Sequence, residues 1–331
     1  MNQTRTNHPA ILEVSRLTKY FSVGTFNRSR MVHAVEKASF SVETGQVLAL
    51  VGESGCGKTT TIRLIARLIP TTDGEIFFEG IDVLKSEPQK ASMEYRNKVQ
   101  LIFQDPFASL NAVHTIEHHL ARPLILHKKA VRRQEIHDQV CGLLESVDLN
   151  PAEEIARRYP HQISGGQRQR VAIARALAVE PRLILADEPI SMLDVSIRMG
   201  VLNLIGRLKE EQGIAFVYIT HDLASARYIG DQIIVMYAGH MIEGGTGDMI
   251  MERAAHPYTQ LLLSAVPDPH AGLRTLKDLS VRGEVPSLID PGPGCPFSAR
   301  CPQVMTVCNQ VMPMQREVET GHWVRCHLFG E

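Results

Sequence analysis

The chain has 331 residues, 44% of them hydrophobic, which is enough for a sizeable buried core and about two domains. Thirty-five Lys and Arg against 36 Asp and Glu leave a formal net charge of −1, so the composition carries no global basic field for nucleic acid. The polar first ten residues lack the apolar heart of a signal peptide, and no apolar run reaches the roughly 18–20 residues of a membrane-spanning helix. A cytosolic chain, or one peripheral on the cytosolic side of a membrane, is expected.

In chain order, residues 1–10 read as a flexible tail, and Ile11–Phe21 and Ala34–Val42 as an antiparallel β layer. Val47–Val51, Val99–Phe103, Leu183–Ala186, Ala215–Ile219 and Ile233–Tyr237 are short apolar runs without alternation. Strands of that kind are buried on both faces, in a parallel sheet covered by helices. From about Asn111 to Tyr159 the strand signal vanishes and charged, helix-friendly segments take over, such as Arg132–Leu144 with its stripe of Ile136, Val140, Leu143 and Leu144. This is an all-helical insert, about 105–168, which Pro160 and Gly165-Gly166 end before a new helix over Arg168–Ala178. Cys141 is placed on the insert's apolar side, and His118-His119 and the Lys128-Lys129 and Arg132-Arg133 pairs on its surface. The core is expected to close near Gly244–Gly247, with domains at 11–250 and 251–331. Beyond Pro257 the chain turns rich in Pro, Gly and Cys, a loop-rich appendage.

The chemistry begins at Gly52-Glu53-Ser54-Gly55-Cys56-Gly57-Lys58-Thr59, between the strand ending at Val51 and a helical pattern starting near Thr60. In that setting the glycines let backbone N–H groups curl round phosphates, and the helix N-terminus adds its positive end. Lys58 is expected to neutralise the β- and γ-phosphates and the Thr59 hydroxyl to ligate Mg²⁺. Cys56 reads as a small loop residue whose thiol, if exposed, would make the loop sensitive to alkylation. The strand Leu183–Ala186 ends in Asp187 and Glu188, one carboxylate placed to hold Mg²⁺ through water and the other to polarise an attacking water.

Taken with Ile163-Ser164-Gly165-Gly166-Gln167, these motifs resemble the ATP-binding-cassette (ABC) ATPases over roughly Ile11–Gly247. The resemblance implies a RecA-like P-loop NTPase core of α/β class with an N-terminal antiparallel β layer, a helical insert and a small Cys/Pro-rich C-terminal extension. Gln104 resembles the Q-loop glutamine that senses Mg²⁺, Ser191-Met192-Leu193-Asp194 the D-loop, His221 the switch histidine, and Tyr20 or Phe21 the aromatic residue that stacks on adenine. Nucleotide contacts are therefore expected from Tyr20, Phe21 and residues 52–60, Thr60 included. The signature loop, Ser164 to Gln167, is expected to face the γ-phosphate on a partner's P-loop, so that ATP joins two cassettes head to tail. Ile163 stands where the family has Leu, and Ile190 and Met192 where Thr and Ala are usual around the D-loop.

His256–Leu262 leading into Ala265-Val266-Pro267 resembles the extension of ATPases from oligopeptide, dipeptide and nickel importers. Cys295, Cys301, Cys308 and Cys326 follow, and four thiols in a segment poor in apolar residues suggest a metal staple. Spacing alone does not choose the metal, and four unligated thiols are the alternative to any metal. The resemblance implies a [4Fe–4S] cluster, with zinc second and His322 or His327 as substitute ligands. It also implies a second ABC ATPase subunit, a paralogue or another copy, two membrane-spanning permease subunits and an extracytoplasmic solute-binding protein, with no nucleic-acid partner. The expected place is the cytoplasmic face of the inner or plasma membrane. The expected role is ATP hydrolysis for peptide uptake; the alternatives are import of nickel or another small solute, or a non-transport ABC ATPase with a metal-sensing C-terminal module.

Overall fold

A computed structural model describes residues 10–24, 30–105, 109–265 and 286–330. The expected tail, apart from Ala10, lies outside the described residues, as do Val266 and Pro267. In chain order the strands are β1 (Ala10–Val23), β2 (Arg30–Glu43), β3 (Val47–Val51), β4 (Asp73–Phe78), β5 (Ile81–Asp82), β6 (Val99–Ile102), β7 (Leu183–Asp187), β8 (Ala215–Thr220), β9 (Gln232–Tyr237), β10 (His240–Gly245), β11 (Arg316–Glu319) and β12 (His322–Val324). The α-helices are α1 (Lys58–Ile65), α2 (Val83–Ser86), α3 (Met93–Lys98), α4 (Ile116–Leu126), α5 (Arg133–Ser146), α6 (Ala152–Arg157), α7 (Gly165–Leu177), α8 (Val195–Gln212), α9 (Leu223–Ile229), α10 (Gly247–Glu252) and α11 (Pro257–Ser264). They fall into two compact units, one made chiefly of Glu87–Tyr218 and the other of Leu12–Ser41, Val47–Ser86 and Ile219–Glu331.

In the unit built mainly on Glu87–Tyr218, β6 and β7 pair in parallel, with Val99 opposite Leu183 and Ile102 opposite Ala186. Every residue of β7 is buried, which is why its sequence shows no alternation. The insert is helical as expected: α4 starts at Thr115, whose hydroxyl accepts from the His118 N–H, and α5 buries Val140 and Leu144. Three placements differ from expectation. Cys141 is only half-buried, and of the adjacent histidines His119 is buried, its Nε2 3.0 Å from the Asn111 carbonyl oxygen. Helix α7 begins at Gly165, not Arg168, because Ser164 caps it.

The other unit holds the antiparallel layer, in the order β2-β1-β4-β5, with Leu12 opposite Phe78 and Val14 opposite Ile76. Its second sheet runs β11-β12-β10-β9-β3. β3 and β9 are parallel, whereas β9, β10 and β12 are antiparallel neighbours, with Gly244 opposite Trp323. Gly244 therefore does not end the sheet: the chain's last strands extend it. The close approach explains the glycine, because an added Cβ at Gly244 would lie 2.6 Å from the Trp323 ring. Glu243, fully buried, fastens the join by accepting from the Ala255 N–H at 2.7 Å and the His256 N–H at 3.0 Å, and it pairs with His322 Nε2 at 2.8 Å.

Candidate functional site

The loop after β3 is shaped by its glycines. Gly57 has φ of 107° and caps α1, and a Cβ there would overlap the Ala34 carbonyl oxygen; one at Gly52 would overlap that of Met236. Helix α1 starts at Lys58, two residues before the expected Thr60, because the Gly57 carbonyl already accepts from the Thr61 N–H at 2.9 Å. Lys58 is buried, and its ammonium donates to the carbonyl oxygens of Gly52 at 2.6 Å and Glu53 at 2.9 Å. Ser54 and Gly55 are exposed, and Thr59 and Thr60 half-buried. Cys56 is buried and burial pushes its thiol up, so the expected sensitivity to alkylation lacks its exposed thiol.

In the same unit, Tyr20 stacks on His33 with ring centroids 4.0 Å apart, and its Oη donates to Glu36 at 2.6 Å. Burial and that carboxylate push the Tyr20 hydroxyl up to about 12. Phe21 is exposed and carries the Lys19 ammonium 4.9 Å above its ring. His221 is exposed directly after β8.

Asp187 and Glu188 end β7 in the other unit. Asp187 is buried, and Glu188 turns into the left-handed region with φ of 44°, a conformation that costs a non-glycine residue about 1–3 kcal/mol and clusters at functional sites. Gln104, 84 positions earlier, donates its side-chain N–H to Glu188 Oε2 at 3.1 Å. The Glu188 carbonyl accepts from Ser191 Oγ at 3.0 Å, which ties the following loop to it, and Met192 is exposed there. Leu193 is buried, and Asp194 is the N-cap residue of α8.

Ser164 and Gln167 form a capping box: the serine hydroxyl accepts from the Gln167 N–H at 3.2 Å, and Gln167 Oε1 from the Ser164 N–H at 2.9 Å. Gly165 is half-buried, and Gly166 lies against α8, where an added Cβ would come 2.5 Å from Ile197 Cγ2. The glycines thus form the first turn of the helix rather than a loop before it.

Arg300, which no motif singled out, and Tyr258, from the stretch His256–Leu262, close on the phosphate loop. Arg300 meets Glu53 with two hydrogen bonds, Nη1 to Oε2 at 2.9 Å and Nη2 to Oε1 at 3.2 Å, and Nη1 also lies 3.2 Å from the Tyr237 hydroxyl. The Tyr258 hydroxyl accepts from the Glu53 N–H at 2.9 Å. Glu53 holds the Arg300 guanidinium well above its ordinary range. Arg300 directly precedes a cysteine, and the only local signal for it is a cation in a loop otherwise short of charge.

Cys295, Cys301, Cys308 and Cys326 are free thiols that line one cavity with His256 and His327. The cavity measures about 10 Å³, room for roughly one water. Burial pushes the Cys295 thiol up to about 11 and also raises those of Cys301 and Cys326. Among the described residues no three His, Cys, Asp or Glu side chains are grouped to hold a metal ion. His322 Nε2 pairs with Glu243 at 2.8 Å, and His327 Nε2 lies 2.9 Å from the Val311 carbonyl oxygen. The structure therefore gathers the four cysteines at one cavity but does not itself show the expected [4Fe–4S] or zinc staple.

Residues 35–191 match the ABC transporter family, and residues 242–308 match the oligopeptide/dipeptide transporter C-terminal region. The oligopeptide transport ATP-binding protein AppF of Bacillus subtilis is 42% identical, over 99% of this chain and 100% of its own length. The dipeptide transport ATP-binding protein DppF of Escherichia coli is 40% identical, over 99% of this chain and 97% of its own. A dimeric ATP-binding cassette solved in a post-hydrolysis state with ADP and Pi superposes with a TM-score of 0.62 at 30% identity, covering 71% of this chain and 98% of the cassette.

Proposed function

We propose that this chain, which belongs to the oligopeptide and dipeptide transport ATP-binding proteins of the ABC transporter family, is the ATP-hydrolysing subunit of an importer for di- and oligopeptides. The observation that carries the reading is the phosphate loop, whose buried Lys58 and left-handed Gly57 form a strand–loop–helix cradle for phosphates. The aromatic platform for adenine is Tyr20, with Phe21 beside it; Thr59 and Thr60 line the phosphates at the start of α1. Lys58 turns from the carbonyls of Gly52 and Glu53 to the β- and γ-phosphates.

Mg²⁺, when bound, neutralises charge on the phosphates, and the oxygen donors of Thr59, Gln104 and Asp187 suit a hard cation. Glu188 accepts the proton of the attacking water, Gln104 holds its carboxylate in place, and His221 contacts the γ-phosphate. Ser164, Gly165, Gly166 and Gln167 face the ATP of a second cassette, and the Ser191–Asp194 loop carries the state of one site to the other. ATP binding closes the pair and hydrolysis reopens it.

The second cassette is a paralogue, and the helical insert passes the motion to two permease subunits fed by an extracytoplasmic solute-binding protein. The subunit is peripheral on the cytoplasmic face; among the described residues no helix is long and apolar enough to cross a membrane. Transport by the chain reconstituted with its membrane subunits in liposomes tests the reading. ATP-dependent accumulation of a labelled tripeptide is expected; accumulation of Ni²⁺ instead, or ATPase activity indifferent to the membrane subunits, overturns it.

A thiol-bound [4Fe–4S] cluster, with zinc second, is the finer part of this proposal. The gathering of four free thiols round one cavity supports it. Iron and acid-labile sulfide in anaerobically purified protein are expected, and a colourless, metal-free preparation removes the cluster from the reading.

A further inference from the structure

Glu53 is held at three points: its N–H by Tyr258, its carboxylate by Arg300 and its carbonyl by Lys58. Two of the three come from the chain's last third, 205 and 247 positions away. Both are firmly seated. Tyr258 is fully buried, the Arg300 side chain is 7% exposed, and Tyr237 and Phe297 wall them in, with Tyr237–Tyr258 centroids 4.5 Å and Tyr258–Phe297 centroids 5.5 Å apart.

We propose that Arg300 and Tyr258 are positioning residues for the phosphate loop, fixing Glu53 so that the loop's N–H groups stay aligned for MgATP. The inference rests on the ATPase reading above and adds to it a part of the nucleotide site supplied by the C-terminal extension. A lysine that turns to a phosphate gives up the carbonyls of Gly52 and Glu53, and with them the loop's internal tether. A loop with glycines at positions 52, 55 and 57 then loses order, and binding must offset that entropy. The anchors on the Glu53 N–H and carboxylate do not involve Lys58, so they hold the loop while the lysine moves. Two parallel charge-assisted hydrogen bonds set the orientation of the carboxylate, which a single contact does not. Preorganisation of this kind tightens nucleotide binding and leaves the chemical step alone, because neither side chain meets the reacting atoms.

The full-length chain and its Arg300→Ala, Arg300→Lys, Tyr258→Phe, Glu53→Ala and Arg300→Ala/Glu53→Ala variants test this. Kd for a fluorescent ATP analogue and the KM and kcat of ATP hydrolysis are read, with thermal melts reporting folding. Arg300→Ala is expected to raise Kd and KM about ten-fold with kcat within about two-fold, and Arg300→Lys to recover part of the loss. The double variant should be no weaker than the weaker single one, since both remove one contact. Should Arg300→Ala not fold, Tyr258→Phe, which removes one oxygen, is expected to raise Kd about three-fold. A folded Arg300→Ala or Tyr258→Phe with unchanged Kd, additive losses in the double variant, or a fall in kcat alone overturns the inference. A wild-type chain that binds no MgATP overturns the ATPase reading and this inference together.

Discussion

Gln104 donates to Glu188 at 3.1 Å while Glu188 sits at φ of 44°, so the carboxylate after β7 is held from both its side chain and its backbone. Glu188→Gln keeps the shape and can keep the contact by exchanging amide roles with Gln104. It loses the carboxylate that takes a proton from water. Turnover is expected to fall by about 10²–10⁴ with nucleotide affinity within a few-fold of wild type. Phosphate release and nucleotide titration check this, and near-normal turnover removes Glu188 from the base role.

Gly166 has no room for a methyl group, because its Cβ would lie 2.5 Å from Ile197 Cγ2. Gly166→Ala is expected to cost about 1–3 kcal/mol, a loss that Ile197→Ala should largely restore in the double variant. Thermal melts of the four proteins measure the coupling, and simple additivity contradicts the contact.

Glu243 serves three donors, the N–H groups of Ala255 and His256 and Nε2 of His322, in a place closed to water. Glu243→Leu leaves all three without an acceptor and is expected to destabilise by about 3 kcal/mol or more, Glu243→Gln by less. Chemical denaturation compares them. Equal losses would mean that packing, not the carboxylate, matters at this join between β10 and β12.

His240 is kept neutral by burial, its pKa lowered to about 4 although Glu36 pulls the other way, and burial also lowers His119. Between pH 6.5 and about 4 the unfolded chain binds a proton at His240 that the native chain does not, so stability falls as the pH drops through that window and levels off below it. The His240 contribution amounts to roughly 3 kcal/mol at pH 4. His240→Phe should flatten the pH dependence of the melting temperature in that range, and an unchanged slope would assign the acid sensitivity to other groups.

Much of the fold was legible because it is written locally. β7 is buried on both faces and therefore uniformly apolar, and α7 starts where a serine and a glutamine three residues on can cap each other. The position of that helix start was missed by three residues because glycines read as loop unless the cap before them is weighed. The buried state of Cys56 and His119 was not legible, since it depends on what packs over them.

By itself the sequence determined the phosphate loop, the paired carboxylates, the signature motif and the gathering of cysteines near the chain's end, because each depends on residue types at short spacing. Only the tertiary structure decided that Glu53 is gripped by Arg300 and Tyr258, that the last strands extend the sheet through β10, and that the four thiols share one cavity. Those relations join segments up to 247 positions apart. No local periodicity or propensity encodes them; burial and hydrogen-bond satisfaction select them once the chain has folded.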